Sequence, residues 1–395
     1  MTGASAAPTS LVGGPIYLDY NATTPTDPRV VEAMLPYLST HFGNPSSIHA
    51  YAHRPREAVA TARARVAHLI GAEPDEIVFT GTGSEADWLA IRGVVLARRD
   101  RGDHLITQRT EHPAVLKACR ALERFHGFAV TELDVDATGL VDPAALEAAI
   151  TARTILVTIM HANSETGTVQ PIRRLAEIAH SRQVAFHTDA AQSVGKIPAR
   201  VDRLGVDLMT LVGHKIYAPK GIGALYVRRG MQLEPVSYGG GQEKGLRAGT
   251  ESVAHIVGLG EACRLLDESG DTIATQMRGL RDLLHQRLDE LLPGRVHLNG
   301  HPTDRLPNTL NVSIDGIEGD RLLAAAPQLA ASTGSACHAG STDPSAVLLA
   351  MGHGPQRAQA ALRLTLGRWS TQAEVATAAE AIASAVAESE PSAST

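Results

Sequence analysis

What this 395-residue sequence has little of narrows its class. It holds three cysteines, Cys119, Cys263 and Cys337. So few thiols in so long a chain make no disulfide framework, and reactivity or packing must account for each. Positive charge is not in excess: the formal net charge is −6, which argues against a dedicated nucleic-acid binder. No apolar run is long enough to cross a bilayer. The opening MTGASAAPTS has neither the basic region nor the apolar stretch of a signal peptide. Internal repeats and low-complexity core segments are missing as well. These absences lead us to expect a cytoplasmic protein with no membrane partner and no direct contact with nucleic acid.

The rest is globular in composition, 44% hydrophobic and 20% charged, and long enough for two sizeable cores. The first dozen residues and the last nine (AESEPSAST) are small and polar and are expected to lack fixed structure. Asp27-Pro28 and Asp142-Pro143 each read as a capping aspartate followed by proline at the first helical position. Val31, Met34, Leu35 and Leu38 then predict one helix face. The apolar runs Ile77–Phe79, Ile155–Met160, Val184–Phe186, Leu208–Val212 and Ala224–Val227 predict buried strands. Their alternation with helical patterns predicts an α/β fold with a mainly parallel sheet covered on both faces. After about residue 265 the texture changes. Leu280, Leu284, Leu288 and Leu291 mark a long amphipathic helix, Thr309–Ile314 a strand, and Thr371 with Glu374 a capping box. A large domain over 17–265 and a smaller α+β domain over 266–390 are therefore expected, with residues 1–16 flexible or packed on the smaller one.

Four short segments carry candidate chemistry. Gly213-His214-Lys215 follows the strand Leu208–Val212, and a lysine at a strand end can form a Schiff base if its amine is desolvated. Asp189, in His187-Thr188-Asp189-Ala-Ala-Gln192, ends another buried strand. It would sit in the crevice where α/β folds bind ligands, or simply cap a helix. Thr80-Gly-Thr82-Gly83-Ser84-Glu85 joins a strand to an apolar helix and could offer backbone N–H groups to a phosphate, although no Gly-Lys-Ser/Thr of a P-loop follows. The fourth segment, Ser332-Thr-Gly-Ser-Ala-Cys337-His338-Ala-Gly-Ser, has no helical or strand period. Cys337 is therefore expected to be accessible, whereas Cys119 and Cys263 lie in helical apolar patterns and are expected to be buried and inert.

In this order the four segments resemble the cysteine desulfurases of the NifS/IscS type, pyridoxal-phosphate (PLP) enzymes of the class V aminotransferase group. The likeness runs from Tyr17 to about Arg368. It includes Tyr17-Leu-Asp-Tyr-Asn-Ala-Thr-Thr-Pro25, Phe42-Gly-Asn-Pro-Ser-Ser47, Glu111-His112, Glu165-Thr-Gly167, Gly239-Gly-Gly-Gln-Glu243, Arg247-Ala-Gly-Thr-Glu251 and Arg363-Leu-Thr-Leu-Gly-Arg368. The resemblance implies fold type I, with a mainly parallel seven-stranded sheet, and PLP as cofactor. It implies that Lys215 holds the cofactor covalently, Asp189 pairs with the ring nitrogen, His112 stacks on the ring and Gln192 reaches the phenolic oxygen. Gly83, Ser84 and His214 would hold the phosphate, with Thr250 contributed across a homodimer. Arg363 would bind the carboxylate of L-cysteine, with Asn21 and Asn163 nearby, and Cys337 would take the sulfur as a persulfide.

Two positions depart from the family pattern. Ser164 stands where a second asparagine is usual, so a shorter hydroxyl would have to reach the phenolic oxygen. Val212 stands where a serine commonly meets the phosphate. The rival readings are a selenocysteine lyase acting on L-selenocysteine, another class V reaction such as transamination or β-elimination, and a sulfur-relay scaffold that works mainly by docking. The protein that accepts the sulfur is left open among iron–sulfur assembly, tRNA thiolation and DNA phosphorothioation.

Overall fold

The computed structural model describes residues 6–334 and 343–389. In chain order its strands are β1 (Ile16–Tyr17), β2 (Ile77–Thr80), β3 (His104–Gln108), β4 (Ala129–Leu133), β5 (Thr154–Thr158), β6 (Ala185–Asp189), β7 (Leu208–Val212), β8 (Gly223–Val227), β9 (Val296–Leu298), β10 (Thr309–Ile314), β11 (Leu329–Ala330) and β12 (Ala361–Thr365). One seven-stranded sheet has the order β2-β8-β7-β6-β5-β3-β4. Neighbours in it are parallel except at β8, which runs antiparallel to both β2 and β7. This is the mainly parallel sheet that the buried apolar runs predict.

The two-residue period of a strand explains why those runs are continuously apolar. Phe79, Ile106, Val157, Met209 and Ala224 join a core with the helices His53–Ile70 and Ile172–Ser181. Their neighbours Val78, Leu105, Leu156, Leu208 and Leu225 join the opposite core, with Gly83–Ala97 and Pro113–His126. Strands β3 and β4 are not marked by an apolar run, because their sequences, HLITQ and AVTEL, mix in polar residues. Buried His104 is satisfied on both ring nitrogens, by Thr154 at 2.7 Å and Thr131 at 2.9 Å, so its place in β3 leaves no orphaned polar atom.

A second core surrounds the antiparallel sheet β12-β10-β9. Leu310, Val312, Leu362 and Leu364 meet Leu284, Leu288, Val375 and Ile382 there. One helix, Val253–Leu291, serves both cores: Ile256, Leu259 and Leu266 join the first, and Leu280, Leu284 and Leu288 the second. The change of texture near residue 265 therefore falls inside a continuous helix. Leu291, expected on the same stripe, is exposed in its last turn. The N-terminal strand β1 pairs parallel with β11, and Leu18 enters the second core. The capping box at Thr371 is formed: Glu374 Oε2 accepts from Thr371 N at 2.8 Å, and Thr371 Oγ1 from Glu374 N at 3.2 Å.

Two expectations need correction. Of the predicted face Val31, Met34, Leu35 and Leu38, only Met34 packs on the core; the other three are 42%, 54% and 62% exposed. The helix stops at Met34 because Pro36 offers no N–H, and Val30 is the residue that turns inward. The ends are also more structured than their composition suggests. Thr9–Leu11 forms a 3-10 turn, and the last helix continues to Ser389, where Val386 and Ile382 still find the second core.

The segment Arg363–Arg368 shows how one motif serves two ends. Arg363 points to the crevice described below, while Arg368 Nη1 meets Asp27 Oδ2 at 2.6 Å and its guanidinium lies 3.6 Å over the Tyr217 ring. Asp27 also accepts from Arg29 N at 3.0 Å, capping the first helix, and its own N–H donates to the Tyr217 carbonyl. Asp27 is fully buried. Asp27→Ala should therefore cost about 3 kcal/mol, the size expected when one partner of a buried ion pair is removed, read as a lower urea midpoint.

Candidate active site

Strands β5, β6 and β7 are adjacent and parallel, so the residues that follow them open on one crevice. Asp189 ends β6, and Lys215 lies in the 3-10 turn Gly213–Lys215 directly after β7. His112 caps the helix Pro113–His126 beyond β3, its Nδ1 accepting from Ala114 N at 3.1 Å. A neutral ring with that bond carries its proton on Nε2. One ligand-type atom from each of Asp87, His112 and Asp189 lies within 4.8 Å of the others.

Burial governs the electrostatics here. It pushes the Asp189 carboxyl up, and His112 partly offsets this. Asp87 is driven well above the usual carboxylate range, first by burial and then by Asp189, and its Oδ1 has no hydrogen-bond partner among the described residues. Burial likewise pushes Glu111 up to about 8, although its Oε1 accepts from Met160 N at 2.5 Å and from Gln108 Nε2 at 3.1 Å. The histidines shift the other way. Burial lowers His187 to about 3, and its ring bridges Thr158 at 2.8 Å and Thr210 at 3.1 Å across three strands. His214 is lowered to about 4 by burial and then by Lys215, and its Nδ1 is 3.1 Å from Thr23 Oγ1.

Lys215 Nζ donates to the carbonyls of Asn21 and Ala22, the latter at 2.7 Å. Gln192 Nε2 donates to the same Asn21 carbonyl at 3.0 Å. The Asn21 side chain is saturated: Oδ1 accepts from Lys196 and Asn308, and Nδ2 donates to the Ser164 carbonyl and Thr309. Asn163 is committed to its own turn, donating to the Thr110 carbonyl and accepting from the N–H groups of Glu165 and Thr166. On β12, buried Arg363 pairs with Asp19 at 2.8 Å and donates to the Ser164 carbonyl at 3.4 Å. Its Nε has no partner among the described residues.

Other predicted residues sit at the margin of the crevice. Gly83 opens the 15-residue helix Gly83–Ala97, with exposed Ser84 beside it. A Cβ on Gly83 would come within 2.4 Å of a Val212 methyl, so the valine fills that space and demands glycine opposite. Thr250 is exposed, on a loop tied to this helix by the pair Arg247–Glu85 at 2.8 Å. Cys337 lies outside the described residues. Both flanks of its segment meet Glu165: Ser345 Oγ donates to Glu165 Oε2 at 2.6 Å, and a Cβ on Gly334 would lie 2.9 Å from the same oxygen. Ser332 pairs with Arg363, whose N–H donates to the Ser332 carbonyl at 2.6 Å. Cys119 and Cys263 are buried, as expected, and burial raises both thiols, Cys263 to about 12.

Sequence reasoning did not find Asp87, Lys196 or Asp19. The available signals were an aspartate on an otherwise apolar helix stretch and a lysine four residues after Gln192, one turn along if helical.

Residues 16–377 match the family described as aminotransferase class-V. The chain belongs to that family. It is 49% identical over 366 residues to the cysteine desulfurase IscS of Pectobacterium carotovorum subsp. carotovorum, covering 91% of this chain and 90% of that protein. A solved NifS-like protein superposes with a TM-score of 0.89 at 35% identity, covering 95% of this chain and 100% of that one. SspA, solved in complex with cysteine, is 39% identical with a TM-score of 0.79, covering 90% and 99%.

The donor set fits PLP. Asp189 is a buried carboxylate with no ion pair among the described residues, and a protonated ring nitrogen is a cation that would reverse part of its upward shift. A strand-end lysine, an imidazole and a helix N-terminus stand around it.

Glu111 makes a pH-dependent demand on stability. Its folded pKa, about 8, lies above the unfolded value of 4.5, so the acid form favours folding. That contribution is whole below about pH 4.5 and is lost as pH rises toward about 8. Glu111→Gln, neutral throughout, should flatten the fall in urea stability of the PLP-free protein between about pH 5 and 8. An unchanged slope would show that Glu111 is ionised in the fold.

Proposed function

We propose that this protein is a PLP-dependent cysteine desulfurase that converts L-cysteine to L-alanine and leaves the sulfur on Cys337 as a persulfide. The observation that carries the reading is the convergence of Lys215, Asp189 and His112 in one crevice, beside Arg363 and the flanks of the Cys337 segment. The IscS relative named above is a cysteine desulfurase, and SspA is solved in complex with cysteine, which favours cysteine over selenocysteine.

Lys215 would hold the cofactor, with Asp189 at the ring nitrogen, His112 on the ring face, and Gln192 and Ser164 toward the phenolic oxygen. Gly83, Ser84 and His214 would hold the phosphate. When bound, PLP supplies an electron sink for the pair left behind when the α-proton departs. Arg363 receives the substrate carboxylate, using its unpartnered Nε or exchanging Asp19 for the substrate. Asn21 and Asn163 shape the substrate side, and the Asn21 carbonyl releases the Lys215 amine that moves the proton. The Cys337 thiolate attacks the substrate sulfur, the carbon–sulfur bond breaks, and the carbon fragment takes up a proton and leaves as alanine. One thiol and cysteine give one persulfide and alanine, with no external oxidant.

A homodimer accompanies this reading. Exposed Val31, Leu35, Leu38, Phe42, Ile48 and Tyr51 crowd one stretch of sequence, and an apolar patch of this kind suits a second copy. Thr250, exposed on its loop, would then complete the neighbouring phosphate site. The sulfur acceptor is a further protein.

Lys215→Ala should abolish both turnover and the visible band of the lysine-bound cofactor. Cys337→Ser should keep the band and still bind cysteine, but make no persulfide and almost no alanine. Cys119→Ser and Cys263→Ser should turn over normally, with stability losses of about 1 kcal/mol. A sulfur label found by mass spectrometry on Cys119 or Cys263 would overturn the assignment of the nucleophile. Sedimentation should give a dimer, and Leu35→Asp with Leu38→Asp should weaken it and lower activity together. An active monomer would remove the dimer from the account.

A further inference from the structure

Lys196 is buried behind the crevice and meets no carboxylate: among the described residues it forms no ion pair. Its Nζ donates to Gln192 Oε1 at 2.8 Å and to Asn21 Oδ1 at 3.0 Å. The ionisable groups that face it are Lys215 and Arg363, and Tyr20 and Tyr217 line the same small cavity. Burying an amine against two neutral amides and beside other cations is unfavourable. Plain packing would be served better by leucine or methionine.

The hydrogen bonds suggest what the lysine does. A carboxamide can present either oxygen or nitrogen at a given place, and its two ends differ little in shape. Lys196 Nζ donates and the Asn21 carbonyl only accepts. Gln192 must therefore turn Oε1 to Lys196 and Nε2 to Asn21, and both contacts agree. Lys215 Nζ shares the Asn21 carbonyl with Gln192 Nε2, so the amide nitrogen and the lysine amine are neighbours. One N–H of Nε2 is used on Asn21, which leaves the second for an acceptor beside Lys215.

We propose that Lys196 is a positioning residue that locks the Gln192 carboxamide with its N–H edge toward Lys215, so that an anionic oxygen bound there meets a donor and never the amide oxygen. This rests on the reading that Lys215 holds PLP, whose phenolic oxygen is such an anion. Without the lock, the Asn21 carbonyl alone holds the Gln192 amide, which can then turn its oxygen more readily toward that anion and repel it. Burial, followed by Lys215 and Arg363, pulls the Lys196 amine well below the usual lysine range, which suits a donor that need not carry charge.

The test is a pH titration of the visible band of the holoenzyme. A donor on the phenolic oxygen favours the more anionic form of the lysine-bound cofactor and so keeps that ionisation low. Lys196→Met should raise the midpoint by about one pH unit, the size of one lost hydrogen bond to a charged oxygen. Lys196→Gln, which keeps an N–H donor and has no charge, should stay within about 0.3 unit of wild type, and it carries the test if the methionine variant does not fold. Gln192→Leu should show the same upward shift, and adding Lys196→Met to it should shift the midpoint no further. An unmoved midpoint in Lys196→Met overturns the proposal. So does a shift that adds in full to that of Gln192→Leu, or a full shift in Lys196→Gln, since the lysine would then act as a charge. A wild-type protein that shows no visible band with PLP would defeat the cofactor reading itself, a different result from any of these.

Discussion

Asn21 holds the two halves of this protein in register. Its N–H donates to Thr365 Oγ1 at 3.0 Å, and its carbonyl accepts from Lys215 and Gln192. Its side-chain oxygen accepts from Lys196 and Asn308, and its amide nitrogen donates to the Ser164 carbonyl and to Thr309. Lys215, Gln192 and Ser164 follow the ends of three main-sheet strands. Thr309 and Thr365 belong to the smaller sheet, and Asn308 precedes it. One buried asparagine thus uses all its polar groups to tie the chemical ends of the large sheet to the small one. Buried amide groups carry a high cost when unmet, so this hub tolerates little displacement of either sheet. The placement of Arg363 two residues before Thr365 on β12 follows from the same tie.

Around that hub, burial sets which groups are charged. Asp87, Glu111 and Asp189 are all pushed upward, and His112, His187 and His214 all downward. Burial in this crevice disfavours charge on acids and imidazoles alike, and a cationic ring nitrogen would offset that for Asp189. The fold therefore favours a ligand that brings its own positive charge to the end of β6. Asp87 stands near Asp189 with one oxygen unmatched among the described residues, and burial, followed by repulsion from Asp189, pushes its carboxyl well above the usual carboxylate range.

Much of this was legible in the chain. Fully buried strands of the main sheet announce themselves as mainly apolar runs, and both Leu208–Val212 there and Thr309–Ile314 in the smaller antiparallel sheet have the predicted bounds. The strand-end positions of Asp189 and Lys215 follow from those runs alone. Strands β3 and β4 escaped because pairs such as His104 with Thr131 and Thr154 conceal polar residues inside a sheet, and only the partner strands make them affordable. The face of Val31, Leu35 and Leu38 has a genuine helical period, but period does not say whether an apolar stripe meets a core or another molecule. Asp19 was illegible for a different reason. Its partner Arg363 lies 344 residues away in sequence, and no local pattern encodes a contact of that span; for Lys196, 175 residues from Asn21, the spacing of four from Gln192 was the one local sign.

The division of labour between rigid and tethered groups follows from the same geometry. Lys215 sits one short turn from a fully buried strand, held by two backbone carbonyls, which would suit the cofactor-holding role proposed for it. Under the proposed function Cys337 would have a second task, because a sulfur taken in the crevice would afterwards be given to an acceptor. The described residues on either side of its segment are fixed firmly, on Glu165 through Ser345 and on Arg363 through Ser332. Arg363 thus joins the Asp19 pair to the described root of the cysteine segment, and a substrate carboxylate bound there, as proposed, would act on the Asp19 pair and the Ser332 bridge together. Under the proposed function, substrate recognition would share one buried arginine with the described flank of the Cys337 segment.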